Sequence, residues 1–87
     1  MSTFILIMAI SKLEEGEKRC LVLILRRQKA MRSPYIAIQL LRSIPNYRSV
    51  VDSLHRKGLV SYYKSRRAVG LTEDGYYTAL ALMEEGY

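Results

Sequence analysis

The stretch Ile44-Pro45-Asn46-Tyr47-Arg48-Ser49-Val50-Val51-Asp52-Ser53-Leu54-His55-Arg56-Lys57-Gly58-Leu59-Val60 decides how this chain folds. Tyr47, Val50, Val51 and Leu54 recur at i, i+3, i+4 and i+7, the spacing of one apolar helical face. Pro45 suits a first helical turn, where its missing N–H would have no partner in any case. Gly58 suits the left-handed residue that ends a helix, and Arg56 and Lys57 before it suit the negative end of the helix dipole. The spacing predicts a helix over 45–57, with Asn46, Arg48, Ser49, Asp52, Ser53 and Arg56 on its polar face. After Gly58 the period changes. Residues 59–63 and 68–71 are β-type runs separated by Lys64-Ser65-Arg66-Arg67, which predicts a hairpin over 59–71 with a basic tip. Leu71-Thr72-Glu73-Asp74-Gly75 then opens a last helix. Thr72 is its N-cap, and Glu73 and Asp74 sit where the dipole favours acids.

Working backwards, Ser33-Pro34 reads as an N-cap followed by a first-turn proline, so a short helix is expected over 34–41. With the tight connection Arg42-Ser43-Ile44, residues 34–57 form a helix-turn-helix. Ser11-Lys12-Leu13-Glu14 fits a capping box, which starts a first helix at Lys12 and carries it to about Arg27. Gly16 weakens its first turn, so the start can slip to Glu15 or Glu17. Leu13, Cys20, Leu21, Ile24 and Leu25 share its apolar face. Residues 3–10 are apolar on every side, as strand or as helix, and need cover on both. Residues 1–12 are therefore expected to be a dimerisation segment. In the last helix Tyr76, Leu80 and Met83 form a stripe that reads as core or as dimer contact.

The length bounds the answer further. Eighty-seven residues make one domain, 1–87, with a marginal core of its own. A single cysteine (Cys20) and a single histidine (His55) exclude an intrachain disulfide and leave no Cys/His zinc site. The remaining aid to stability is a second subunit. Apolar residues make up 49% of the chain, too many for a disordered one. The net charge of +6 hides a stronger asymmetry. Residues 26–67 carry eleven Lys and Arg against Asp52 alone, whereas residues 1–25 are neutral and residues 68–87 are acidic. A basic block of this kind points to nucleic acid or an anionic membrane, with a solvated basic face as the bland alternative.

Other function classes fare worse. The longest apolar run, residues 4–10, is far below the roughly 20 residues of a membrane span. It lacks the basic residues before it and the cleavage site after it that a signal peptide needs. The expected location is intracellular, in the cytoplasm. Asp52, Ser53 and His55 fall at i, i+1 and i+3, which does not align a nucleophile, a base and an orienting acid, so no enzyme is expected. Nothing points to a cofactor or a metal, and a small-molecule effector is not legible in the residues. Cys20 on an apolar stripe reads as a core thiol, with an intersubunit disulfide or redox switch as the alternative.

The stretch Val50 to Val60, ending Leu54-His55-Arg56-Lys57-Gly58-Leu59-Val60, resembles the "L-x-x-K/R-G-L-V" close of the recognition helix in MarR- and PadR-type winged helices. Leu71-Thr72-Glu73-Asp74-Gly75 resembles their "L-T-E/D-x-G" entry to the helix after the wing. The interval between the two also fits, and the resemblance spans residues 13–83. The chain is shorter than MarR proteins and lacks their long C-terminal helices. In size it is similar to small stand-alone winged helices of archaea and their viruses. The resemblance implies an α+β, mostly α, winged-helix fold. It also implies a homodimer that binds double-stranded DNA sequence-specifically as a transcriptional regulator. By position, Asn46, Arg48, Ser49, Ser53 and Arg56 would read or brace the major groove. Lys64, Ser65, Arg66 and Arg67 of the wing would meet the backbone or minor groove.

The residues agree with that assignment. Arg48 can bond guanine O6/N7 in bidentate fashion and Asn46 adenine N6/N7, near the helix N-terminus where base edges are met. Asp52 is discordant on a DNA face, and either accepts from cytosine or pairs with Arg48 or Arg56. The rival is a protein-interaction module without DNA readout, which the apolar segment 3–10 favours and the basic middle disfavours. A membrane-surface role is third, since helix 45–57 uses its own apolar face.

Overall fold

The computed structural model describes residues 12–87. The segment 1–12 expected at a dimer contact, and Ser11 of the expected capping box, lie outside the described residues except for Lys12. The fold is a small α+β domain, mostly helical. Its elements are α1 (Glu15–Met31), β1 (Ile36–Ala37), a 3-10 turn (Ile38–Leu41), α2 (Tyr47–Arg56), β2 (Val60–Tyr63), β3 (Ala68–Leu71) and α3 (Glu73–Glu84). The three strands form one antiparallel sheet in the order β1-β3-β2.

α1 begins at Glu15, three residues after the start that the Ser11 signal predicts and at one of the two slipped starts. Glu14 is the N-cap, and its N–H donates to the Glu17 carboxylate at 3.0 Å. The helix also runs past Arg27 to Met31 and stops at Arg32, whose φ of 51° is left-handed. The expected face, Leu13, Cys20, Leu21, Ile24 and Leu25, is buried and packs against α2, α3 and the sheet. Cys20 is fully buried, and burial first, then the nearby Glu17, push its thiol up to about 12. That makes it a core thiol, with no thiolate available for exchange at neutral pH.

The helix expected over 34–41 is not there. The Ser33 hydroxyl donates to the Tyr35 carbonyl at 2.7 Å and accepts from the Tyr35 N–H, forming a turn rather than a helix cap. Residues 36–37 then pair with β3, Ile36 opposite Val69 and Ala37 opposite Ala68. Only 38–41 coil, as a 3-10 turn. The exposed edge of β3 is the competing demand: its backbone groups need a second partner, and pairing overrides a local start signal.

α2 also starts two residues late. Pro45, expected in the first turn, lies before the helix, and Asn46 precedes its first residue in a left-handed conformation (φ 55°) that asparagine tolerates better than most. Its far end is as expected, with Gly58 left-handed at φ 77°. Val51 and Leu54 are buried, and Tyr47 and Val50 pack against the core. The hairpin forms in the expected place, with Tyr62 opposite Val69 and Tyr63 opposite Ala68. Alternation turns Val60, Tyr62 and Val69 to the helices and Ser61, Tyr63 and Ala68 outward.

α3 is capped by Thr72, whose hydroxyl accepts from the Gly75 N–H at 3.1 Å. Its buried face is Gly75, Thr78, Ala79 and Leu82. Of the stripe expected as core or dimer contact, Tyr76 (40%) and Met83 (36%) are exposed rather than core, while Leu80 is half-buried against the core. Both sets have helical spacing. The small set wins because Gly75 must face Leu59, where an added Cβ would lie 1.8 Å from the Leu59 carbonyl oxygen. Among the described residues no helix is long and apolar enough to cross a membrane.

Gly75→Ala should therefore destabilise the protein by about 2 kcal/mol or more, since that clash is with backbone. Gly16→Ala, whose Cβ would meet only Val50 at 3.7 Å, should be neutral or stabilising by about 0.5–1 kcal/mol. Thermal melts of the two variants check the pair, and equal effects would contradict the packing described.

Candidate nucleic-acid interface

Two anchors fix the position of α2. The first is a buried carboxylate in α1. Glu17 is 4% exposed, and its oxygens accept from Lys57 Nζ at 2.8 Å each and from Ser53 Oγ at 2.9 Å. Lys57 Nζ also donates to the Lys12 carbonyl at 3.2 Å. Burial pushes the Glu17 carboxyl up, but the Glu14 N–H, Lys57 and Ser53 together outweigh it and hold the group below its ordinary value of 4.5. The second anchor lies at the other end of the hairpin. Thr72 Oγ1 donates to the Gly58 carbonyl at 2.7 Å and the Thr72 N–H to the Leu59 carbonyl at 3.1 Å. The close of α2 and the start of α3 are thereby one junction.

On the outer side of α2, Asn46, Arg48, Ser49 and Arg56 are exposed. Ser53 is half-buried and turned to Glu17, so its hydroxyl proton is already committed. The tip residues Lys64, Ser65, Arg66 and Arg67 are all exposed. Three of them, Lys64, Ser65 and Arg66, have left-handed φ values of 53°, 54° and 69°. Left-handed residues other than glycine normally occur singly, so this tip is strained.

The structure brings part of the expected set together. Arg48 from α2 and Ser65, Arg66 and Arg67 from the tip line one open cleft of about 420 Å³, together with Ala37, Ile38 and Gln39. No carboxylate lines it. Lys64 and Arg67 also border a wider groove of about 580 Å³, beside Tyr35 and Tyr63. Those two rings stack across the outer face of the sheet, with centroids 4.8 Å apart. Asn46, Ser49, Ser53 and Arg56 line neither hollow.

Sequence reasoning missed three contributors. Gln39, an amide able to read adenine, reaches the cleft because 36–37 is strand rather than helix. Arg42 lies with Gln39 and Arg27 around an adjoining hollow. Tyr62 carries the Arg66 guanidinium over its ring at 4.9 Å and hydrogen-bonds Asp52. Their only signal was composition, an exposed amide and arginine beside a predicted turn. Among the described residues no cluster of three or more His, Cys, Asp or Glu could hold a metal ion. No protein-family model matches the chain, and neither a curated protein nor a solved structure is similar enough to it to indicate kinship.

The Glu17 anchor makes stability depend on pH in a stated direction. Its folded-state pKa is depressed, so its contribution is complete above the unfolded value of 4.5 and fades as pH falls through the lower folded value. Glu17→Gln should cost about 1.5–3 kcal/mol at neutral pH, the range for hydrogen bonds to a charged group. The gap to wild type should close on acidification. A denaturation series against pH that shows a gap independent of pH would contradict the assignment.

Proposed function

We propose that this chain is a winged-helix protein that binds double-stranded DNA as a homodimer and acts inside the cell as a transcriptional regulator. In this reading α2 enters the major groove, and residues 64–67 form a wing tip on the backbone or in the minor groove. The observation that carries it is the cleft where Arg48 and Arg67, from two different elements, converge with Gln39 and with no acid in the lining. The element order and the strand order β1-β3-β2 support it, because they set a basic hairpin beside an exposed helix face. Arg48 is the residue for base readout, Asn46 and Ser49 flank it, and Lys64 and Arg67 neutralise phosphates. Arg56 and Arg66 join them on the same side.

The dimer rests on a different surface. Tyr76, Tyr77 and Met83 expose apolar area on α3, away from the basic face in sequence. Two-fold pairing would present two α2 helices to a pseudo-palindromic site with half-sites about 34 Å apart. The same exposed stripe is what favours the second reading, a docking module for another protein.

Binding to a duplex should weaken steeply with salt, by close to one power of salt concentration per phosphate contacted. Arg67→Ala should weaken every duplex alike and flatten the slope by about one. Arg48→Ala should instead erode discrimination among sequences by about 1–3 kcal/mol. A titration that shows a near-flat salt dependence would exclude duplex binding by this face and leave the docking reading.

A further inference from the structure

The one acid in the basic block is not idle. Asp52 Oδ1 accepts from Arg66 Nη1 at 3.3 Å and from the Tyr62 hydroxyl at 3.4 Å, while Oδ2 faces Arg56 Nη1 at 3.6 Å. One carboxylate on α2 thus occupies two of the arginines on the proposed DNA face, one on its own helix and one on the tip. Arg48 and Arg67 have no carboxylate partner among the described residues.

We infer that Asp52 is a built-in competitor for backbone phosphate, holding Arg56 and Arg66 until a duplex displaces it and so keeping affinity for bulk DNA low. The inference rests on the duplex-binding reading above. A phosphodiester presents the same pair of charged oxygens to a guanidinium that a carboxylate does, so the two ligands are interchangeable in kind. Displacement is feasible because the grip is open to solvent. The Asp52 side chain is 34% exposed, and those of Arg56 and Arg66 are 71% and 67% exposed. Pairs this exposed are individually weak. The grip also has a conformational role. Arg66 is one of the three left-handed tip residues, and such strain persists only where surroundings hold it. Asp52 on one side and the Tyr62 ring on the other supply that hold. Asp52 is therefore a positioning residue for the tip as well as a brake on its charge.

The test uses the full chain and a labelled random-sequence duplex of about two helical turns, titrated at a series of salt concentrations. Four proteins are compared: wild type, Asp52→Asn, the pair Arg56→Ala with Arg66→Ala, and the triple variant. Asp52→Asn should bind about ten-fold more tightly at low salt, with a slope steeper by about one to two, as two further cations reach phosphate. The gain should vanish in the background lacking both arginines. Amide exchange at residues 64–67 should be faster in Asp52→Asn without DNA. Unchanged or weaker binding by Asp52→Asn overturns the inference, as does an equal gain without the arginines, which would reflect only one negative charge removed. Tip exchange that does not change overturns the positioning role. If wild type and Asp52→Asn both fail to bind with a salt dependence, the duplex-binding reading falls and this inference with it. Ordinary wild-type binding beside an unresponsive Asp52→Asn sinks the inference alone.

Discussion

The contact of Gly75 with the backbone at Leu59 is the constraint on which the arrangement turns. An added Cβ at Gly75 would lie 1.8 Å from the Leu59 carbonyl oxygen, so only glycine lets α3 begin there. That approach brings Thr72 to the Gly58 and Leu59 carbonyls, and Thr72 ties both ends of the hairpin to the end of α2. The two short sequence signatures, one closing α2 and one opening α3, are thus halves of a single joint. The hairpin tip projects from that joint beside the outer face of α2. Glu17 completes the frame by holding Lys57 and Ser53 from below. A carboxylate this buried is tolerable because every lone pair named above has a donor.

On this frame the charge pattern acquires a geometry. Eleven cations against one acid in residues 26–67 are a count. Their placement divides them into roles. Lys57 is tied by its ammonium to the buried Glu17. Arg56 and Arg66 share Asp52, and Arg48 and Arg67 face a cleft with no acid in its lining. Tyrosine rings lie under several of these charges, Tyr47 under Arg48 and Tyr62 under Arg66, which narrows their orientations while leaving them exposed. A face built this way has cations already ordered before a polyanion arrives.

Much of this was legible in the residues. The apolar spacing of α2, its Gly58 stop, the hairpin and the Thr72 cap all depend on local chemistry, and all appear where local chemistry puts them. The failures share a cause, which is tertiary demand. Ser33-Pro34 is a sound helix start, yet the open edge of β3 recruits residues 36–37 as strand. Tyr76, Leu80 and Met83 read as core or dimer contact, yet close approach turns the face of Gly75, Thr78, Ala79 and Leu82 inward and leaves Tyr76 and Met83 exposed. Pattern reading weighs size and polarity, whereas packing here rewards smallness. In the candidate site, the alternation of polar residues on α2 identified the exposed Arg48 and Ser49. It could not foresee that Ser53 turns inward to a carboxylate 36 residues earlier in the chain. Nor could it foresee that Asp52, expected opposite Arg48 or Arg56, also reaches Arg66. Contacts between distant segments leave no periodic trace.

The central claim is that one face, made from α2 and the hairpin tip, meets duplex DNA. The most direct measurement is an amide-resolved NMR titration of the protein with a short duplex. Perturbations should concentrate at residues 46–49, at 64–67 and at Gln39, with the outer face of α3 silent. Shifts confined to α3, or no saturable shifts at low salt, would contradict it.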